Sequence, residues 1–127
     1  MPSLNLSVAK ENMTGKLPLI CTTDQLTDPG SYGFEIDFNG ESVEGFIVQY
    51  NGQFFAYRNS CPHTGAPLDW VEHQFLDTYG SLIQCAVHDA RFYIETGECV
   101  FGPCPGESLS KLDICVEDGR IYLTGTA

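Results

Sequence analysis

The chain is 127 residues long, the length of one domain, and sets 17 acidic side chains against six basic ones for a formal charge of −11. That balance excludes nucleic acid and anionic membrane surfaces as partners, because both require clustered Lys and Arg. Hydrophobic residues at 43% and aromatic residues at 12% suffice for a packed core and exclude disorder.

Met1 to Lys16 lacks the apolar stretch of about 7–15 residues that marks a signal peptide. Residues 1–16 are therefore expected to be an N-terminal extension ahead of one domain over 17–127, in the cytoplasm. A first strand is expected over Leu17–Cys21. From Ser31 to Phe38, large apolar residues (Tyr32, Phe34, Ile36, Phe38) alternate with small or acidic ones, the period-two pattern of a strand with one buried face. Asn39-Gly40 then supplies a type I′ hairpin turn, Val43 to Tyr50 the return strand, and Asn51-Gly52 a second such turn before Gln53–Arg58. These three runs predict an antiparallel meander. Within it, Phe46-Ile47-Val48 is among the longest strongly apolar stretches of the chain, far short of the roughly 18 residues that span a bilayer. Between residues 59 and 80 the pattern breaks at Pro62, Gly65 and Pro67, and Asp69 to Leu76 reads as a loop or one helical turn. Short strands follow at Ser81–Cys85 and Arg91–Ile94. Gly102-Pro-Cys-Pro-Gly106 makes a rigid loop. Two last strands, Lys111–Glu117 and Arg120–Thr124, are joined by Asp118-Gly119. The prediction is an all-β, antiparallel domain with two elaborated loops, and loops on a rigid scaffold are where function concentrates.

Six cysteines accompany only three histidines. In a chain without an export signal, cysteines more often bind metal, react or stay reduced in the core than form disulfides. One loop carries Cys61-Pro62-His63 and the other Cys85-Ala86-Val87-His88. A single Cys/His neighbour is usually structural; two such pairs, in order and in two turn-rich segments, indicate a metal centre. Structural zinc sites pair like ligands, as C-x2–4-C followed by H-x3–5-H. Here each loop mixes one thiolate with one imidazole, which suits a [2Fe–2S] cluster whose irons take two thiolates and two imidazoles respectively. Cys99 and Cys104 begin a plant-type C-x4-C motif, but Glu107 stands where its next Cys is needed. A Cys99–Cys104 disulfide stays open. Cys21 and Cys115 are expected to be small buried hydrophobes. His73 is expected to be a loop or surface residue, and Trp70 to pack beneath the first Cys/His loop.

The pattern C-x-H followed by C-x-x-H resembles the Rieske family. The likeness runs from about Leu17 to Thr124 and includes Cys61-Pro-His-Thr-Gly-Ala-Pro-Leu68, Cys85-Ala-Val-His-Asp-Ala-Arg-Phe92, Thr96-Gly97 and Gly102-Pro-Cys-Pro105. It implies a β-sandwich or barrel-like domain with a small cluster-binding subdomain over about 59–106. By the same resemblance, Cys61 and Cys85 bind one iron of a Rieske-type [2Fe–2S] cluster, and His63 and His88 bind the other. Pro103 would lie in the proline-rich loop that covers the cluster. High-potential members have two further cysteines where this chain has Ala66 and Val87, so their inter-loop disulfide cannot form here. They also have a Ser and a Tyr, donors to cluster sulfur, where this chain has Ala90 and Phe92. Losing those donors destabilises the more negative reduced cluster, so the resemblance implies the low-potential, ferredoxin-type branch, roughly −150 mV.

A Rieske oxygenase needs a second iron held by two His and a carboxylate. With His63 and His88 committed, His73 is the one histidine to spare, so no oxygenase site can be built. Nor is there room for a flavin or nicotinamide domain. The expected role is therefore an electron carrier between a reductase and an acceptor such as a ring-hydroxylating oxygenase, with acidity that steers basic partner surfaces or simply maintains solubility. Two other readings are a Rieske-like small subunit of a nitrite reductase or similar oxidoreductase, and a structural zinc domain.

Overall fold

The computed structural model describes residues 17–62, 65–69, 71–86, 89–102 and 106–126. Nine strands make three antiparallel sheets of three: β1 (Leu19–Thr22), β9 (Arg120–Gly125) and β8 (Asp113–Glu117); β2 (Gly30–Phe38), β3 (Glu41–Tyr50) and β4 (Gln53–Arg58); and β5 (Leu82–Gln84), β6 (Arg91–Tyr93) and β7 (Cys99–Phe101). A 3-10 turn, Thr23–Gln25, follows β1. The all-β antiparallel architecture expected from the pattern is present.

The hairpins form where two consecutive residues tolerate positive φ. Asn39 and Gly40 stand at 52° and 81°, Asn51 and Gly52 at 53° and 77°, and Asp118 and Gly119 at 53° and 73°. Pairing closes directly on each turn: Phe38 faces Glu41, Tyr50 faces Gln53, and Glu117 faces Arg120. The β2–β3–β4 meander is thus dictated locally.

The apolar run on β3 has a different cause. Phe46, Ile47 and Val48 are all fully buried because β3 is central in its sheet and covered on both faces. Phe46 and Val48 join one core with Tyr57, Leu68, Phe75, Ile83 and Phe92, whereas Val43 and Ile47 join a second with Ile20, Leu112, Ile121 and Leu123. β4 alternates in the same way, sending Phe55 and Tyr57 to the first core and Phe54 and Ala56 to the second. The meander is thus a shared wall. On one side lies the β1–β9–β8 sheet, joined to β4 through Leu112 N–H to the Ala56 carbonyl and Arg58 N–H to the Ser110 carbonyl. On the other lies the β5–β6–β7 sheet with its loops. Tyr57 fastens that side, donating its hydroxyl to the Ile94 carbonyl at 2.6 Å. Phe46 and Phe75 stack at 4.2 Å beneath it.

Two readings of the sequence change, those of β7 and Cys115. β7 was not anticipated: a strand of three residues is too short to show periodicity. Between Val71 and Leu76 the chain keeps to the loop alternative, with Gln74 N–H donating to the Val71 carbonyl at 3.0 Å in a short turn and Leu76 bridging Ile83. Cys115 is exposed rather than buried, because on β8 Ile114 packs on the second core and alternation turns Cys115 the other way. Cys21 is buried as expected.

Candidate metal centre

The two loops that carry the Cys/His pairs are built as twins. In the first, Cys61 N–H donates to the Ala66 carbonyl at 2.8 Å, and Gly65 N–H donates to the Cys61 carbonyl at 2.6 Å. In the second, Cys85 N–H donates to the Ala90 carbonyl at 2.8 Å, and Asp89 N–H donates to the Cys85 carbonyl at 2.8 Å. Each turn therefore runs from a Cys to an Ala five positions on, closed by the residue four positions on. That closing residue needs positive φ, supplied by Gly65 at 79° and Asp89 at 57°. In sequence, His63 comes two residues after Cys61 and His88 three residues after Cys85. His63, Val87, His88 and Pro103, like Trp70 and Cys104, lie outside the described residues.

Neighbouring residues lock the twins together. Ala86 N–H, next to Cys85, donates to the Leu68 carbonyl at 2.9 Å, joining the second turn to the end of the first. The Asn59 amide spans the base of the first loop, accepting from Leu68 N–H at 2.7 Å and donating to the Asp69 carboxylate at 3.0 Å. Asp77, a buried acid, accepts from Ser81 and Leu82 N–H and so closes the turn into β5. Asn59 and Asp77 escaped sequence reading, since their work is visible only once the loops are folded. Loop backbone that is buried must be satisfied in this way or lose stability.

Cys61 and Cys85 share one core and are 1% and 0% exposed. Neither is in a disulfide. Two buried thiols in paired turns suit a metal cluster, because ionised sulfur in an apolar core is tolerable only beside compensating positive charge. Cys21 differs: burial first, and Asp24 second, push its thiol up to about 11, which makes it an inert packing group. Cys99 is disulfide-bonded. Cys104, the partner suggested by C-x4-C spacing, lies outside the described residues.

Ala90 and Phe92 are both fully buried beside Cys85 in the same core, and neither side chain has a donor to offer. Ala66 is half-buried and closes the first turn through its carbonyl. Gly102 approaches the second turn closely: a side chain there, where φ is +106°, would begin 2.8 Å from the Ala90 Cα. His73 is structural. Its Nδ1 accepts from Gly33 N–H at 2.9 Å, its ring stacks on Tyr32 at 4.4 Å, and its carbonyl accepts from the Ser31 hydroxyl.

The model of the Rieske [2Fe–2S] domain matches residues 16–117. The chain is 31% identical over 104 residues to the ferredoxin component of the p-cumate 2,3-dioxygenase system of Pseudomonas putida, covering 82% of this chain and 81% of that one. It is 27% identical over 105 residues to the 3-phenylpropionate/cinnamic acid dioxygenase ferredoxin subunit of Photorhabdus laumondii, covering 83% and 90%. Among solved structures, the ferredoxin of carbazole 1,9a-dioxygenase from Nocardioides aromaticivorans IC177 superposes with a TM-score of 0.65 at 25% identity, over 86% of this chain and 97% of that one. With twin turns around two buried thiols and a family match over most of its length, the chain belongs to the Rieske [2Fe–2S] family, and the cofactor of that family is a Rieske-type [2Fe–2S] cluster.

Proposed function

We propose that this protein is the ferredoxin component of a multicomponent oxygenase system, a carrier that takes single electrons from a reductase and delivers them to a terminal oxygenase, in the cytoplasm. The observation that carries the reading is the pair of twin turns that set Cys61 and Cys85 in one core. The ligands are Cys61 and Cys85 on one iron and His63 and His88 on the other, held in a subdomain over about 59–106 of a domain spanning 17–127. When bound, the cluster supplies one-electron transfer. The chain's own part is to hold the thiolates in place, keep water away through the Leu68, Phe75 and Phe92 core, and seat Gly102 against Ala90. Ala90 and Phe92 withhold hydrogen bonds from sulfur, which keeps the potential near the low end of the family, roughly −150 mV.

Several observations support this role over the others. Both dioxygenase ferredoxins named above are matched over most of their own length, as is the ferredoxin component of the alkene monooxygenase system of Xanthobacter autotrophicus, at 30% identity and 77% of its length. A structural zinc domain fits poorly with a [2Fe–2S] family match.

The test is EPR of the dithionite-reduced protein with iron and sulfide analysis. A Rieske spectrum with two irons and two sulfides per chain is expected. A colourless zinc protein would overturn the reading. Cys61→Ala, Cys85→Ala, His63→Ala and His88→Ala should each abolish the spectrum; a variant that keeps it in full is not altered at a ligand.

A further inference from the structure

We propose that Arg91 is a positioning residue of the redox centre, tying the second ligand turn to the strand that leads into the covering loop and raising the reduction potential by its charge. The inference rests on the ligand assignment above. Arg91 opens β6, three residues after His88. Its Nη2 donates to Asp89 Oδ1 at 3.3 Å, and the same oxygen accepts from Gln84 Nε2 at 2.6 Å. Asp89 is the positive-φ residue whose N–H closes the Cys85 turn. The ion pair therefore grips the turn at a conformationally demanding position.

On its other side, Arg91 reaches the end of β7. Its guanidinium carbon stands 5.6 Å from the centre of the Phe101 ring, and the two residues face each other across the β6–β7 pairing. Phe101 is 56% exposed, so the contact with Arg91 rather than the core accounts for its position. It also directly precedes Gly102, the residue that abuts Ala90. A planar cation stacked on an aromatic face is a role Arg fills and Lys does not.

The charge argument is separate. Asp89 is 54% exposed and solvent weakens its hold on the cation, while Arg91 Nε is buried with no hydrogen-bond partner among the described residues. The guanidinium is thus incompletely neutralised next to the second turn. Positive charge there favours the state carrying the additional electron, so it raises the potential, against the protein's overall charge of −11.

The experiment compares holoprotein variants by protein-film voltammetry and by hydrogen exchange of peptides covering residues 85–91. Arg91→Gln should weaken reduction by about tenfold in the equilibrium constant, which for one electron is about 59 mV. Arg120→Gln, which removes the same charge from β9, should shift it by less than a third of that. Arg91→Lys should keep most of the potential yet still speed exchange, because it retains charge without the planar fork. Phe101→Leu should speed exchange with little change in potential. An Arg91→Gln potential equal to that of wild type or of Arg120→Gln overturns the electrostatic role, and wild-type exchange in Arg91→Lys and Phe101→Leu overturns the positioning role. If Arg91→Gln loses its cluster, the last two variants still decide positioning, and a wild-type potential in Arg91→Lys upholds the charge. A wild-type protein without a Rieske spectrum refutes the ligand assignment and this proposal with it; a normal spectrum with an unmoved potential refutes this proposal alone.

Discussion

Tyr57→Phe removes a single oxygen from a ring that is fully buried between the β2–β3–β4 wall and the β5–β6–β7 side. The hydroxyl donates to the Ile94 carbonyl at 2.6 Å, and the ring rests 5.9 Å from that of Phe46. Phe keeps the ring and its apolar contacts, so the loss is confined to one buried hydrogen bond and the carbonyl left behind. A net hydrogen bond contributes about 1 kcal/mol, and a stranded buried acceptor costs about 1–3 kcal/mol, which together place the loss near 2 kcal/mol. For a domain of this size that is about 8 °C in Tm. Burial, with Glu95 second, pushes the Tyr57 hydroxyl up to about 12, so it stays a donor and the effect should be the same at pH 6 and pH 8. The assay is thermal unfolding of oxidised holoprotein, wild type against variant, at equal cluster loading. Because the bond removed goes to the Ile94 carbonyl, the EPR line shape should not change. A Tm within about 1 °C of wild type, or a fall accompanied by an altered spectrum, would refute this account of the joint.

Ala90→Ser restores a donor at a buried position of the second ligand turn and should raise the reduction potential. A bond that strengthens by about 1 kcal/mol on reduction corresponds to about 45 mV; an unchanged or lower value in protein-film voltammetry counts against the hydrogen-bond account of the low potential. Among the thiols outside the metal centre, iodoacetamide at pH 8 should label exposed Cys115 quickly in the folded protein and Cys21 only after unfolding, as read by peptide mass spectrometry. Equal labelling of both in the native state would contradict the burial of Cys21.

Some features of this protein were determined by the sequence alone. Three Asn-Gly or Asp-Gly pairs set three hairpins, because a two-residue turn depends on the φ preferences of its own residues and on little else. The metal centre was legible for a similar reason: C-x-H and C-x-x-H are short-range spacings, and mixed thiolate and imidazole pairs have few chemical uses. Ala90 and Phe92 could likewise be read as missing donors by their offsets from His88.

The tertiary structure decided what depends on residues distant in the chain. That β3 is buried on both faces follows from what packs on either side of it, and its apolar run alone could equally have been one strand face or part of a helix. Cys21 and Cys115 look alike in sequence, and both lie on edge strands; only the face to which each side chain is turned, Cys21 into the second core and Cys115 away from it, makes one of them exposed. The likeness of the Cys61 and Cys85 turns was hidden because Gly65 and Asp89 meet the same demand for positive φ with different side chains. The bond from Ala86 to Leu68, the span of Asn59 across its loop and the grip of Arg91 on Asp89 and Phe101 all arise from folding. Spacing could name the ligands, but bringing two thiols 24 positions apart in the chain (Cys61 and Cys85) into one dry core required the long-range packing of the whole domain.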